Sequence, residues 1–324
     1  MMSRKIYLSL LSLVMATLLF VTVSYAWASL SLINNVTGLN LSATVGDELQ
    51  LSVDGVNYFT KLPASEIENI FNEVRLKDIT TVNGIDFSTN PYKGASEPIA
   101  NKDYISFELW IRSSRPEKHV FLYNNINDQV SYEKTDQLGT FAVSKGTLWV
   151  AKHSFFNGPT TNDLVKMGTL GKYHASEAIR ISIIELNNDM NPMDDREESA
   201  LSRFIYDPSE NKERGFGKLF GSYSYYFQMA GYYMPVPTEF PKTSYRLSEM
   251  DPRNPYQAAD NESLIATLQE TEEVDDKGRP YYVSKIRINI WLEGWDPDAF
   301  DAITGDRIKI QLQFKSAHKA PKMD

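Results

Sequence analysis

The chain has 324 residues, 42% of them hydrophobic, and its 33 basic and 42 acidic side chains give a net charge of −9 at pH 7. This acidic balance argues against a general nucleic-acid-binding protein, since binding to phosphates needs a basic surface, and it gives no support for electrostatic binding to an anionic membrane. The absence of cysteine excludes thiol catalysis, thiolate metal sites and disulfide-linked assembly.

The first 28 residues have the pattern of an export signal. Arg4 and Lys5 precede an apolar run that extends to Tyr25, and the small residues Ala26 and Ala28 follow it. This order is typical of a cleaved secretory signal peptide. An uncleaved signal anchor is the alternative, since about 20 apolar residues span a bilayer. In both cases we expect an N-terminal hydrophobic signal helix, with the rest of the chain outside the cytoplasm.

The next segment, Ser29 to Ala43, allows two interpretations. It either adds as a strand to the open sheet edge of a second copy or forms the first strand of its own domain. In the first case the contact runs head to tail and does not close, so it produces a filament. The predicted partner-binding side chains of this segment are Leu30, Leu32, Leu39 and Leu41.

A short amphipathic helix is predicted in the stretch PASEIENIFNEV. Ser65 and Glu68 have the spacing of a capping box at its start. The apolar side chains recur at the spacing of one helix face. The expected buried stripe is Ile67, Ile70, Phe71 and Val74.

Four later segments alternate apolar and polar side chains with a period of two, which is typical of strands with one buried face. Trp110 and Trp291 fall on the outward faces of these strands. There they either lie beneath another part of the chain or mark a subunit interface. The four predicted strands are Tyr104–Ser113, Glu177–Leu186, Val283–Leu292 and Asp306–Phe314.

The connector between the last two strands is acidic. Asp296, followed by Pro297, has the pattern of a helix start, and Gly305 has that of a helix end. We therefore expect a fold connector. Because a glycoside hydrolase needs two carboxylates, Glu293, Asp296 and Asp298 are the candidates for an alternative catalytic role.

The region from 187 to 278 is rich in Asp, Asn, Glu, Pro and Tyr and is predicted to be a long insertion between core strands. Within it, NESLIATLQE predicts a helix. Tyrosines are concentrated near the middle of this region. If they are exposed, we expect them to bind glycans or partner proteins. The alternative is that this segment packs onto the domain as a pair of strands. The candidate partner-binding residues here are Tyr225, Tyr232 and Tyr233.

The loop NDMNPMDDREE clusters the oxygen ligands that calcium prefers, although it lacks the EF-hand pattern. Calcium is therefore the candidate cofactor, and a solvated acidic loop is the alternative. The candidate metal ligands are Asp189, Asn191, Asp194, Asp195 and Glu198.

Motifs for catalysis are missing from the sequence. There is no nucleophile elbow and no phosphate-binding loop. We therefore expect that the protein is not an enzyme. The histidines show no metal-ligand spacing and are expected to be isolated surface residues. They are His119, His153, His174 and His318.

The order of several short motifs resembles exported proteins of low-GC Gram-positive bacteria and their relatives, and distantly the TasA/camelysin family of matrix-fibre proteins. The motifs are SYAWASLS after the hydrophobic leader, TGLNLSATVGDELQLSVDG, YISFELWIRSS, AIRISI, FIYDPSE, IRINIWLEGWDPDAFDAI and IKIQLQF. The resemblance implies a jelly-roll sandwich whose subunits polymerise when an N-terminal segment adds to the next subunit. The long insertion departs from the compact family pattern.

Together these observations predict an all-β fold, an antiparallel, jelly-roll-like β-sandwich with short helices, as a single domain over residues 29–324. The expected function is that of an extracellular, cell-surface structural or adhesive protein that forms a filament or matrix with copies of itself. Surface glycans and matrix proteins are further candidate partners. The alternative is a cell-surface glycan-binding domain or a glycoside hydrolase. Contact with a membrane is expected only through the N-terminal hydrophobic segment.

Overall fold

The structure, a computed structural model, describes residues 12, 13, 15, 34–44, 49–89, 97–126, 129–231 and 235–321. Strands dominate this part of the chain. They are β1 (Asn34–Ala43), β2 (Gln50–Ser52), β3 (Arg75–Leu76), β4 (Asp78–Thr80), β5 (Ser88–Thr89), β6 (Ile105–Ser113), β7 (His119–Leu122), β8 (Phe141–Ser144), β9 (Thr147–Val150), β10 (Phe155–Phe156), β11 (Leu164–Val165), β12 (Leu170–Tyr173), β13 (Ile179–Leu186), β14 (Arg203–Tyr206), β15 (Thr243–Ser244), β16 (Met250–Asp251), β17 (Asn254–Ala258), β18 (Leu264–Thr267), β19 (Gln269–Val274), β20 (Pro280–Glu293) and β21 (Arg307–Ala317).

Helices are short in the described residues. The two α-helices are α1 (Ala64–Phe71) and α2 (Ser222–Ala230). The 3₁₀ helices cover Thr161–Asp163, Ala175–Ala178, Glu198–Ala200, Lys212–Arg214 and Asp301–Ile303. The N-terminal hydrophobic segment lies almost entirely outside the described residues.

The larger sheet has nine strands and is organised around β20. One edge of β20 pairs with β13 and β19, and the other pairs with β6 and β4. β13 continues to β14 and β15, and β6 continues to β2. The alternation of β20 specifies its register, because a shift by one residue would turn the buried row Ile286, Ile288, Ile290 and Leu292 away from the core.

The smaller sheet has six strands and is organised around β21. β7 and β8 pair with one edge of β21, and β1 pairs with the other. The pairing of β1 with β21 is parallel, as are those of β4 with β20 and of β15 with β14. The sandwich, predicted to be antiparallel, therefore also contains parallel pairings, because side-chain alternation carries no information about strand direction.

The two sheets pack face to face on one core. All four strongly alternating segments are strands, as predicted, and their apolar faces are buried. The inward residues of β6 include Ile105 and Leu109, those of β20 include Ile288, and those of β21 include Leu312. The all-β, sandwich-like prediction is confirmed by this arrangement.

The region 187–278 contributes strands to both sheets. β14, β15 and β19 extend the larger sheet, and β18 pairs with β7 in the smaller one. The helix predicted from NESLIATLQE is wrong, since this stretch forms β18 and the start of β19. Pairing with neighbouring strands overrides the local helix propensity there.

Two predicted helix caps are also wrong. α1 exists, but Pro63 precedes it without a side-chain cap, and Ser65 lies inside the helix. No helix begins at Asp296; its carboxylate instead accepts a hydrogen bond from the Asp298 N–H at 2.8 Å. The connector contains only the 3₁₀ helix at 301–303, and Gly305 follows it with a φ of 79°, a left-handed conformation that suits glycine.

Candidate functional site

The N-terminal strand β1 is bound in a slot at one edge of the smaller sheet. Its apolar side chains alternate inward, but a bulge between Val36 and Gly38 shifts the register by one residue. Val36 before the bulge and Leu39 after it are therefore both buried. A bulge of this kind keeps both halves of a strand facing the core. Leu41 and Ala43 complete the buried row.

Both ends of β1 are attached to β21. At the start, the Asn34 side-chain oxygen accepts the N–H of Asp306 at 3.0 Å, and the Asn35 N–H donates to the Asp306 carbonyl at 3.2 Å. At the end, the N–H and the hydroxyl of Thr44 each donate to the Phe314 carbonyl at 2.9 Å. The strand is thus positioned by its termini as well as by its register.

The other edge of β1 is partly covered by the segment that contains α1. β3 pairs with Asn34 and Asn35 at one end. At the other end the Ala43 N–H donates to the Thr60 carbonyl at 2.9 Å, and the Leu62 N–H donates to the Leu41 carbonyl at 3.1 Å. β1 therefore lies between β21 and residues 60–76, in a slot whose backbone groups it satisfies.

Asp306 is the residue that sequence reasoning overlooked here. Its Oδ1 accepts the N–H of Gly146 at 2.8 Å, and its Oδ2 accepts the N–H of Ala175 at 2.9 Å, while its backbone binds Asn34 and Asn35. A turn aspartate before a strand is a weak signal, because only the fold shows which distant amides it reaches.

A groove lies on the outer face of each sheet. A groove of about 660 Å³ runs beside the outer face of β1 and β21, with Asn40, Lys61 and Leu138 among its lining residues. A groove of about 810 Å³ lies over β6, β13 and β20, with Tyr104 and Arg287 among its lining residues. The described tyrosines near the middle of the region 187–278 line neither groove; they are Tyr223, Tyr225 and Tyr226.

Two of the carboxylates proposed for hydrolysis are buried: Asp296 pairs with an arginine, and Glu293 accepts hydrogen bonds from the Trp291 indole N–H and the Trp295 N–H. Arg180, on β13, contacts Asp296 and lies 2.8 Å from Asp207. Burial raises the pKa of Asp296 well above its usual range, and it also raises the pKa of Asp207 and of Glu293. Since these three side chains are at most 1% exposed, no substrate reaches them in this conformation.

Asp298 is engaged in the same region. Both of its carboxylate oxygens accept hydrogen bonds from Arg214, at 2.6 and 2.9 Å. Fork-to-fork pairing of this kind fixes orientation. The acidic connector is therefore attached to β13 and to the segment 206–222 by guanidinium groups, as a structural connector would be.

The predicted calcium ligands are dispersed. Asp194 is buried and paired with Arg196 at 2.7 Å, and exposed Glu198 pairs with Arg203 at 2.6 Å. The Asn191 side chain donates to the Glu270 carbonyl at 2.9 Å. Asp189 and Asp195 are exposed. Within the described ranges, no cluster of three or more Asp, Glu, His or Cys side chains is placed to hold a metal ion.

The predicted partner-binding residues are distributed differently. Leu39 and Leu41 are buried in β1, while Leu30 and Leu32 lie outside the described residues. Tyr225 is buried on α2, which replaces the expected strand pair, and Tyr232 and Tyr233 lie outside the described residues.

The outward tryptophans lie beneath other parts of the chain. Trp291 is buried against Phe87, with ring centroids 5.3 Å apart, and Ile205 packs in the same cluster. The Trp110 indole N–H donates to the Asn188 side-chain oxygen at 3.2 Å. Both faces of the larger sheet are therefore covered in these places.

His119 differs from the surface histidine expected. It is half-buried on β7, and burial, assisted by the nearby charge of Lys319, lowers its pKa from 6.5 to about 4. A histidine held neutral in the folded state stabilises it above pH 6.5, and that contribution is lost as the pH falls towards 4. We expect His119→Gln to lose less stability than the natural chain between pH 7 and pH 5 in urea titrations. Equal pH dependence of the two proteins would contradict this assignment.

Among the described residues no helix is long and apolar enough to cross a membrane. No family model, no curated protein and no solved structure matches this chain.

Proposed function

We propose that this chain is an exported structural subunit that assembles with copies of itself by exchanging β1. The observation that carries the proposal is the slot between β21 and residues 60–76, which an N-terminal strand fills in parallel with the C-terminal strand. Strand addition of this kind obtains affinity from main-chain hydrogen bonds and specificity from alternate side chains.

Exchange conserves the contacts of the closed chain. The slot of a second copy offers the same partners to β1, so buried Leu39 and Leu41 lose nothing when they move from one copy to the next. Only the connection from β1 to β2 must follow a different path. Exchange of an identical element is a low-cost route to association, and a head-to-tail contact that does not close makes a filament.

The sequence features agree with this function. A hydrophobic export segment precedes β1, and its cleavage would release the end of the strand. The resemblance to TasA-like fibre proteins implies the same mode of assembly and a jelly-roll connection of the strands. Tyr225 and the connector carboxylates, which suggested glycan binding or hydrolysis, are buried or ion-paired.

An engineered disulfide tests strand exchange directly. A Cβ atom added to Gly38 lies 3.5 Å from Lys309 Cγ, so G38C and K309C face each other across β1 and β21. In the chain from Ser29 onward, oxidation of the double variant as a monomer should lock β1 in its own slot. We expect electron microscopy to show filaments for the reduced protein and none for the oxidised one.

The two single variants provide the matched control, because the natural chain has no cysteine. When G38C and K309C chains are mixed, assembled and then oxidised, exchange predicts a disulfide between different chains. Filaments that form without any interchain disulfide would show that β1 stays in its own subunit and would contradict the proposal.

A further inference from the structure

Residues 145–174 leave the sandwich as an excursion between β8 and the 3₁₀ helix at 175–178. The excursion contains two small ribbons, β9 paired with β12 and β10 paired with β11. Its inner side is rigid, because Trp149 contacts Tyr173, Tyr225 and Phe300 edge to face, with ring centroids 5.5 to 5.7 Å apart. Edge-to-face aromatic packing of this kind adds stability beyond area burial.

The outer side of the excursion is apolar and exposed. Leu148 is 70% exposed, Met167 69%, Leu170 63% and Val150 50%. Val150 and Leu170 are register partners across the ribbon. Exposed apolar side chains that are grouped on one surface mark an interaction site.

The same excursion carries a charge opposite to that of the whole protein. Residues 145–174 contain four lysines and one aspartate, in a chain whose net charge is −9. All four lysines, Lys145, Lys152, Lys166 and Lys172, are exposed, and Lys152 Nζ lies 3.6 Å from a carboxylate oxygen of Asp301. The aspartate, Asp163, accepts hydrogen bonds from the N–H and the hydroxyl of Thr160. The surface is therefore apolar and basic together.

The position of the excursion indicates what this surface meets. Gly146, at the start of the excursion, and Ala175, directly after its end, both donate to the Asp306 carboxylate, and the Asp306 N–H donates to Asn34 at the start of β1. The excursion and the N-terminus of β1 thus lie at the same end of the sandwich. The apolar run of the sequence ends at Tyr25, and the eight residues up to Asn34 span at most about 28 Å.

We propose that, while the hydrophobic segment is attached and inserted in a bilayer, this excursion docks on an anionic lipid surface. Leu148, Val150, Met167 and Leu170 enter the interfacial region, and Lys166 and Lys172 meet lipid phosphates. Apolar side chains combined with lysines are the composition that binds anionic membrane surfaces. The short tether holds the surface beside the bilayer. This inference does not depend on strand exchange. It predicts binding to an anionic membrane, which the net charge of the whole chain does not support.

A single-cysteine fluorescence experiment tests docking in the full chain reconstituted in vesicles. Leu170→Cys carries an environment-sensitive dye, and Val274→Cys is the matched control. Val274 is 58% exposed and pairs with Pro280 at the opposite end of β20 from Leu292, which pairs with Ile179 beside the excursion. We expect a blue shift and quenching by brominated lipid only for the dye at position 170, and more strongly in phosphatidylglycerol vesicles than in phosphatidylcholine vesicles.

Removal of charge should weaken docking without removing the apolar contact. K166Q and K172Q should each lower the ratio of docked to undocked dye by about fivefold in phosphatidylglycerol vesicles, which corresponds to about 1 kcal/mol per lysine. Solvent-exposed emission at position 170 in both lipids would overturn the proposal. So would a shift that follows protein concentration instead of lipid, since that result would assign the surface to a second copy.

Discussion

Replacement of Arg180 by methionine is expected to destabilise the protein by about 3–5 kcal/mol, because it leaves two buried carboxylates without their cation. Asp207 and Asp296 are both 0% exposed, and both are bound by the same guanidinium group. A loss of this size is a large fraction of the about 5–15 kcal/mol that stabilises a typical native domain. The measurement is the free energy of unfolding in urea at pH 7.

The stability loss caused by R180M is expected to depend on pH. Burial raises the pKa of Asp296 and of Asp207 in the folded state, so the folded protein binds protons more tightly than the unfolded chain does. Stability is then lost as the pH rises from the usual aspartate pKa towards the raised value. Without Arg180 the carboxylates are still harder to ionise, so the deficit of R180M should be smaller at pH 5 than at pH 8.

A triple variant separates the unpaired charge from the lost packing. In R180M/D207N/D296N no buried charge is left in this group, and replacing a whole buried ion group is often neutral or stabilising. We expect it to be more stable than R180M at pH 8. If R180M unfolds at the same urea concentration as the natural chain, or if the triple variant is no better than R180M, the ion group does not stabilise the connector as described.

The second large effect is expected in the N-terminal strand itself. Leu41 is 0% exposed and is the register partner of Leu312. Leu41→Ala should cost about 2–5 kcal/mol, because it removes buried methyl groups and leaves a cavity. Chemical denaturation of the chain from Ser29 onward measures this, and it also reports how much of the stability depends on an occupied slot.

The neighbouring residue is the control for this substitution. Asn40 is exposed on the same strand, and Asn40→Ala should change stability by no more than about 0.5 kcal/mol. Similar losses at the two positions would mean that β1 is not seated with Leu41 inward. The proposed exchange of β1 between copies requires such burial, since the same side chain would stabilise the closed and the assembled forms.

Side-chain alternation was a reliable guide wherever the chain forms long strands. The inward rows of β6, β13, β20 and β21 are those that the period of two predicts, since alternation is a local property of extended backbone. Prediction was wrong at 261–270, where pairing with neighbouring strands overrides the local helix propensity. For the candidate site, the sequence predicted only that the N-terminal segment forms a strand. It did not predict the slot that this strand fills, because the sequence of a strand does not specify which strands pair with it.

The sequence by itself determined the β-rich class and the buried faces of the main strands. The tertiary structure alone decided that β1 runs parallel to β21, that Arg180 pairs with residues up to 116 positions away, and that the basic apolar excursion lies at the end where β1 begins. The physical reason is range: alternation and hydrophobic runs are set by neighbouring residues, whereas strand partners, buried ion pairs and shared surfaces are set by contacts between distant parts of the chain.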